Sequence, residues 1–503
     1  MTGSELRSRL LRAISLGAAL AALCVPATAS ASSIALTPAT MARIGSTDAR
    51  FQSYNIEMVE VTGGRFWRPY RDGTTAGHAP PLFAYRKPID LANRRLRKLA
   101  AALGPAYLRV SGTWANATYF NDGGATSVPV GFTDELTRRQ WKGVIEFART
   151  VEAGLVTSFA TSAGSRDAQG AWTPAQADRL IAYTHALGGE IAAAEFSNEP
   201  RGDEAAKFGR DLAAFRSWLK QASPKTLLLG PGAISGDGAN DTRAVENLVA
   251  AAGPVFDAIS WHYYIEASQR CSHQAPSATT RDEHALSNER LAKADHVARL
   301  YADLRDRFEP GKPLWITETA AAYCGGDPWD ATFLDSFRYL DQLGRMAQRS
   351  VQVVMHNTLA ASDYGLLDEL NFAPRPDYWA ALLWRRLMGT TVLDPGGAPR
   401  PGLYLYAHCL RAKPGGVALL AINTDRSASA MLELPTKTSR YTLTADHLTD
   451  ASVRLNGRKL KLGAHDELPP LDAEPVAPGK LALAPASITF FAVPAAANPA
   501  CSQ

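Results

Sequence analysis

The sequence predicts a (β/α)8 barrel followed by an antiparallel β-sandwich. Three observations carry that prediction. From about residue 54 to 388, eight short β-rich runs alternate with long amphipathic segments. No Gly-rich turn of the G-x-G-x-x-G kind follows the first run, which argues against a doubly wound sheet. After Gly389 the pattern changes to alternating runs separated by Pro, Gly and Asn.

The elements follow in order. Residues 1–31 have the pattern of a secretory signal peptide: Arg7, Arg9 and Arg12, then an apolar run from Ala13 to Val25, then Pro26 and the small residues of Ala27-Thr28-Ala29 and Ala29-Ser30-Ala31. That apolar run is too short to span a bilayer, so cleavage and a secreted or periplasmic location are expected, with no membrane span left. Residues 32–53 form an N-terminal segment that is a candidate strand of the sandwich. The barrel is assigned to 54–389, with strands at Tyr54–Glu57, Tyr107–Val110, Leu155–Phe159, Ile191–Phe196, Leu227–Gly230, Ala258–Trp261, Leu314–Glu318 and Val351–His356. Among the helices, Leu91–Leu103 stops at Gly104-Pro105, and Thr173-Pro174-Ala175-Gln176 reads as a capping box with Pro at the first helical position. Ala205–Gln221, Ser287–Phe308 and Phe333–Gln348 repeat apolar residues at helical spacing. A last helix begins near Asp377. The sandwich takes 390–503, with strand-like runs such as Leu403–His408, Val417–Asn423 and Ile488–Val493.

Composition narrows the function. The chain has 503 residues, 46% hydrophobic and 20% charged, which excludes disordered and collagen-like chains. Three arginines and Glu5 leave with the leader, so the formal charge falls from +4 to +2. No block of like charge marks a nucleic-acid binder. Cys24 also leaves, and Cys271, Cys324, Cys409 and Cys501 remain. An even number in an exported chain suggests two disulfides with three connectivities, pairing within the barrel and within the sandwich being the simplest. No Cys-x-x-Cys or His-rich cluster suggests a metal, and no cofactor is expected.

Two carboxylates then stand out: Glu199 after the fourth strand and Glu318 at the end of the seventh. Barrel enzymes place chemistry at the C-terminal ends of their strands. Two carboxylates facing each other there suit glycoside hydrolysis: one must be protonated to release the leaving oxygen, the other ionised to attack the anomeric carbon. Asn198 is placed to bond a sugar 2-hydroxyl, and His262 and Tyr264 to orient Glu318. Glu195 reads as a buried, hydrogen-bonded barrel residue. Arg65, Arg68, Arg71 and Arg270 are candidate contacts to an anionic polysaccharide, with Trp67, Tyr70 and Trp114 lining its cleft.

The set Ala106–Thr113, Ser197-Asn198-Glu199-Pro200, Trp261-His262-Tyr263-Tyr264, Glu318–Gly326, Asp363–Glu369, Pro376–Trp379 and Leu403–Cys409 resembles the heparanase and β-glucuronidase family of glycoside hydrolases over nearly the whole mature chain. Tyr54–Trp67 is most similar to bacterial members. The resemblance implies Glu199 as acid/base and Glu318 as nucleophile, with retention. It implies that Tyr364 and the backbone N–H groups around Gly325 and Gly326 read the uronate carboxylate, that Glu57 accepts from a sugar hydroxyl, and that Tyr323 is a further substrate-binding residue. It also implies a Cys409–Cys501 bridge. The family often has three glycines after that tyrosine; here the first is Cys324, and a Cys271–Cys324 bond would tie the nucleophile loop to the loop after strand six. The implied activity is internal cutting of heparan sulfate, a glucuronic-acid-containing polysaccharide; the chain shows no long insertion resembling an excised linker peptide, so activity without internal proteolysis is expected, and a monomer. The alternatives are an exo-acting β-glucuronidase and a non-catalytic carbohydrate-binding barrel. A barrel esterase or metal-dependent hydrolase finds no Gly-x-Ser-x-Gly or His-x-x-x-His to support it.

Overall fold

A computed structural model describes residues 33–70, 82–235, 239–271, 282–396 and 401–502; the leader and Arg71 lie outside these residues. Among them, eight parallel strands close a barrel in chain order: Gln52–Glu57, Ala106–Ser111, Ala153–Ser158, Ile191–Glu195, Leu227–Ser235, Ala258–Ala267, Leu314–Tyr323 and Val351–His356. The first strand pairs with both the second and the eighth, which closes the ring. Helices including Arg138–Thr150, Ala205–Ala222, Asn288–Phe308 and Pro376–Leu387 pack outside it.

The barrel interior has two levels. Tyr107, Val156, Ala193, Leu229, Ala258, Trp315, Val353 and Met355 form an apolar floor. Two residues further along several strands the inward side chains turn polar and remain buried: Asn55, Arg109, Glu195, Ser260 and Thr317. A buried polar layer is costly unless each group finds a partner, so this layer must form one hydrogen-bonded unit.

Strands six and seven are longer than their apolar runs suggest. Beyond Glu318 they pair with each other, Tyr264 with Ala320 and Ala267 with Tyr323. Glu318 therefore lies within strand seven, and His262 and Tyr264 lie within strand six. The capping box at Thr173 does not form. Thr173 donates to the Ser165 carbonyl, Gln176 accepts from the Phe120 N–H, and the helix starts at Ala175. Tertiary partners for both side chains outweigh the local motif.

The sandwich packs one large sheet against a small one. The segment 33–51 contributes to both: Ile34–Ala35 pairs with Ala430–Leu434, and Arg43–Ser46 with Met388–Leu393. Val417–Asn423 is buried throughout because it faces two layers. Ala418, Leu420 and Ile422 turn to the barrel-side core, and Val417, Leu419 and Ala421 to the sandwich interior. This explains its unbroken apolar sequence. Disulfides join Cys271 to Cys324 and Cys409 to Cys501.

Candidate active site

Arg109 is the centre of the polar layer. Its side chain is 1% exposed and its guanidinium donates in several directions: Nε to Glu195 Oε2 at 3.0 Å, Nη1 to Glu318 Oε2 at 2.8 Å, and Nη2 to Asn198 Oδ1 at 2.8 Å. Glu195 Oε1 accepts from Ser260 and Thr317 at 2.8 and 2.7 Å, which saturates the carboxylate. Burial works against the charge of Glu195, but the Arg109 cation and these hydrogen bonds hold it well below the ordinary carboxylate range.

Glu318 is buried, and both its oxygens are engaged. Tyr264 donates to Oε1 at 2.7 Å and Arg109 to Oε2. Burial raises Glu318; His262, Arg109 and the Tyr264 hydrogen bond outweigh it and hold the carboxyl below its usual range. It is ionised at neutral pH. Glu199 differs. Its side chain is 25% exposed, it follows strand four, and its backbone is left-handed at φ 51°. That conformation is costly for a residue with a Cβ. The flanking backbone is pinned: Asn116 accepts from the Asn198 N–H and donates to the Asn198 carbonyl, both at 2.8 Å. Glu199 N–H donates to the Gly232 carbonyl at 3.2 Å.

His262 Nδ1 stands 3.0 Å from Glu199 Oε1 and 3.7 Å from Glu318 Oε2. Its titration is pulled both ways. Burial and Arg109 disfavour the imidazolium, while Glu318, Glu195 and Glu199 push it up to about 9. Arg109 Nη2, 3.1 Å from Nε2, can only donate. When the ring is neutral, Nε2 therefore accepts and Nδ1 carries the proton. Glu199, His262 and Glu318 each offer one atom, all within 4.8 Å of one another, a spacing that could hold a metal ion. The guanidinium beside Glu318 Oε2 and His262 Nε2 already supplies the positive charge there and opposes a cation.

The remaining candidates surround this pair. Glu57 Oε1 accepts from Asn357 Nδ2 at 3.0 Å, and the same amide donates to Tyr264 Oη at 3.0 Å. Glu57 Oε2 is buried without a partner among the described residues. Burial, and next the Glu318 charge, raise Glu57 well above its usual range. Gly112 gives that carboxylate its room, because a Cβ there would stand 1.4 Å from Oε2. Tyr364 is buried against Val59, Phe66, Ala320 and Ala361. Tyr323 is half-buried, edge-on to Tyr264.

Gly325 and Gly326 both have φ near 85°. Their bare Cα faces are filled by Trp67 and Ser362 at Gly325, and by Asp330 and the Tyr364 N–H at Gly326. The Gly326 N–H is spent on the Ala322 carbonyl. Of the two glycine N–H groups proposed from sequence for an anion, only that of Gly325 is without a partner among the described residues.

One candidate surface cation proves to be internal, and two candidate cleft aromatics are half-buried. Arg270, expected as a cation for an anionic chain, is 9% exposed and pairs with Asp363 at 2.7 Å. Trp67 stacks on Phe83, and Trp114 packs on Phe66. Arg65 remains exposed. Sequence reasoning assigned no role to Arg109, Asn116 or Asn357. A charged residue at inward parity in an otherwise apolar strand was the signal available for Arg109.

A closed parallel barrel with two close carboxylates at its C-terminal rim defines a barrel glycoside hydrolase. The chain belongs to glycosyl hydrolase family 79: the model of that family's N-terminal domain matches residues 88–344. The heparanase of Bos taurus is 27% identical over 483 residues, covering 82% of this chain and 86% of the relative. The inactive heparanase-2 of Homo sapiens is 28% identical over 394 residues, covering 71% and 64%. Among solved structures, a 4-O-α-L-rhamnosyl-β-D-glucuronidase from Fusarium oxysporum superposes with a TM-score of 0.65 at 13% identity, over 92% of this chain and all of that one; this likeness is one of fold. The chain is a glycoside hydrolase of the heparanase type.

Proposed function

We propose that this protein is an exported, retaining endo-β-glucuronidase that cuts heparan sulfate internally. The observation that carries the mechanism is the approach of Glu199 and Glu318, with carboxylate oxygens within 4.8 Å of each other. Retaining glycosidases hold their two carboxyl groups about 5–5.5 Å apart, whereas inverting ones leave roughly 6.5–9.5 Å for a water. Glu318, kept ionised by Arg109 and Tyr264, attacks the anomeric carbon. Glu199, more exposed, gives its proton to the leaving oxygen and then takes one from the water that resolves the glycosyl-enzyme. Asn198 has its oxygen committed to Arg109, so its Nδ2 faces the sugar 2-hydroxyl, a bond that strengthens as charge develops on the ring. The unpartnered Glu57 oxygen accepts from a second hydroxyl. Tyr364 and the Gly325 N–H read the uronate carboxylate.

The substrate assignment is supported by the heparanase relatives, and the export assignment by the leader pattern and two disulfides. The test is product sizing on heparan sulfate beside an aryl β-glucuronide, with Glu318→Gln as the control. Short oligosaccharides from the wild type and none from Glu318→Gln are expected. Free glucuronic acid as the sole product would replace the endo reading with end-trimming. Normal rates in Glu318→Gln would remove the nucleophile.

A further inference from the structure

Arg270 joins four loops that meet beside Gly325, Gly326 and Tyr364. Its Nη1 donates to the carbonyl of Arg68, after strand one. Its Nη2 donates to Asp363 Oδ2 at 2.7 Å, after strand eight, and approaches the Gly326 carbonyl, after strand seven, at 3.5 Å. The guanidinium lies over the Tyr70 ring, 4.0 Å from its centroid. Its own segment, after strand six, is fixed in turn. The Arg270 N–H donates to Tyr70 Oη at 2.9 Å, Ser268 Oγ donates to the Gly326 carbonyl at 2.7 Å, and the Gln269 N–H donates to Asp327 Oδ1 at 2.8 Å. Asp363 completes the circle: its carboxylate accepts from the Tyr70 N–H at 3.1 Å, and its own N–H donates to the Gly325 carbonyl at 3.1 Å. The neighbouring Cys271–Cys324 bond crosses the same two loops.

We propose that Arg270 and Asp363 are positioning residues for recognition of a uronic acid carboxylate. Neither contacts the reacting atoms. They hold the Gly325–Asp327 and Ser362–Tyr364 backbones in the one arrangement that sets the Gly325 N–H and the Tyr364 hydroxyl around an anion. A planar guanidinium suits this work, since it bonds a carbonyl and a carboxylate while stacking on a ring. This rests on the glucuronidase reading above and adds how the pocket keeps its shape.

The experiment uses the full chain with Arg270→Ala, Asp363→Ala, Arg270→Lys and Tyr70→Phe. Two readouts are taken: kcat and KM on an aryl β-glucuronide together with competition by free glucuronate, and amide hydrogen exchange across residues 68–70, 325–327 and 362–364. In the alanine variants KM and the glucuronate inhibition constant should rise about tenfold or more, with kcat within about threefold, the pattern of lost binding rather than lost chemistry. Exchange in the three segments should quicken. Arg270→Lys keeps the charge and should recover part of both effects. Tyr70→Phe removes one hydroxyl and should give a smaller loss of the same kind; it keeps the test open if an alanine variant fails to fold. Unchanged exchange, or a fall in kcat at constant KM, overturns the proposal. A wild type that neither cleaves the glucuronide nor binds glucuronate overturns the functional reading instead, and the exchange data still decide whether Arg270 holds these loops.

Discussion

Replacing Arg109 with Met is the sharpest test of the polar layer. Arg109 is the cation for two buried carboxylates, Glu195 at 2.9 Å and Glu318 at 2.8 Å, whose side chains are 1% and 6% exposed. Removing one partner of a buried ion pair costs about 3–5 kcal/mol, because the charge left behind is unpaired. At about 2.1 cal/mol/K of unfolding entropy per residue, a folded unit this long loses roughly 1 °C per kcal/mol, so the thermal midpoint should fall by about 3–5 °C. The deficit should also depend on pH, with a definite sign. In the wild type Glu195 is held below the unfolded carboxylate value of about 4.3, so its stabilisation is present above that value and is lost only as pH falls through the lowered one. In the variant burial has no opposing cation, the folded carboxyls rise above about 4.3, and folding takes up protons. Their penalty is then full at pH 7 and is relieved as pH falls. Urea unfolding of both proteins at pH 7 and pH 5 measures this. The difference between them should narrow at pH 5. A difference below about 1 kcal/mol at pH 7, or one that does not narrow, would refute the claim that Arg109 compensates two ionised carboxylates.

Two further outcomes test assigned roles. Glu199→Ala should lose much less activity on an aryl glucuronide with a good leaving group than on one with a poor leaving group, since an activated phenolate departs without a proton; equal losses would argue against an acid role. Tyr364→Phe should weaken competitive binding of glucuronate more than that of glucose, by about 1–3 kcal/mol if a charge-assisted hydrogen bond is lost, and equal effects would mean that Tyr364 does not read the carboxylate.

The barrel was legible because strands buried on both faces read as short apolar runs, and because helices with one wet face separate them. Strand length was not legible. Tyr263–Ala267 and Thr319–Tyr323 extend only because each finds the other, and this pairing is absent from either segment alone. The capping box at Thr173 failed for a related reason, as a local motif competes with partners outside the helix, the Ser165 carbonyl eight residues back and the Phe120 N–H 56 residues from Gln176. At the site, Glu199 and Glu318 were legible as carboxylates near the close of apolar runs in a counted barrel, although Glu318 lies inside strand seven and not at its end. Arg109 was visible as a charge amid Leu108 and Val110, but its partners come from strands four and seven. Arg270 misled because an arginine in a loop resembles a free cation; its withdrawal from solvent depends on Asp363, 93 residues away.

Overall similarity does not by itself separate active from inactive members of this family, since a heparanase and an inactive heparanase-2 resemble this chain at 27% and 28% identity. The functional reading must therefore rest on the local arrangement. Two carboxylates brought within 4.8 Å would repel if both were equally buried and unpaired. Here they are unequal. Glu318 is enclosed and given a cation and a phenol, while Glu199 stands at the rim with the His262 ring against it. That asymmetry suits the double displacement proposed above, in which one group is ionised when it attacks and is regained when water resolves the glycosyl ester, and the other exchanges protons with the leaving group and then with water. Under the proposed double displacement, Arg109, buried between strands two, four and seven, has a task beyond its pairing with Glu195: it keeps Glu318 ionised for attack.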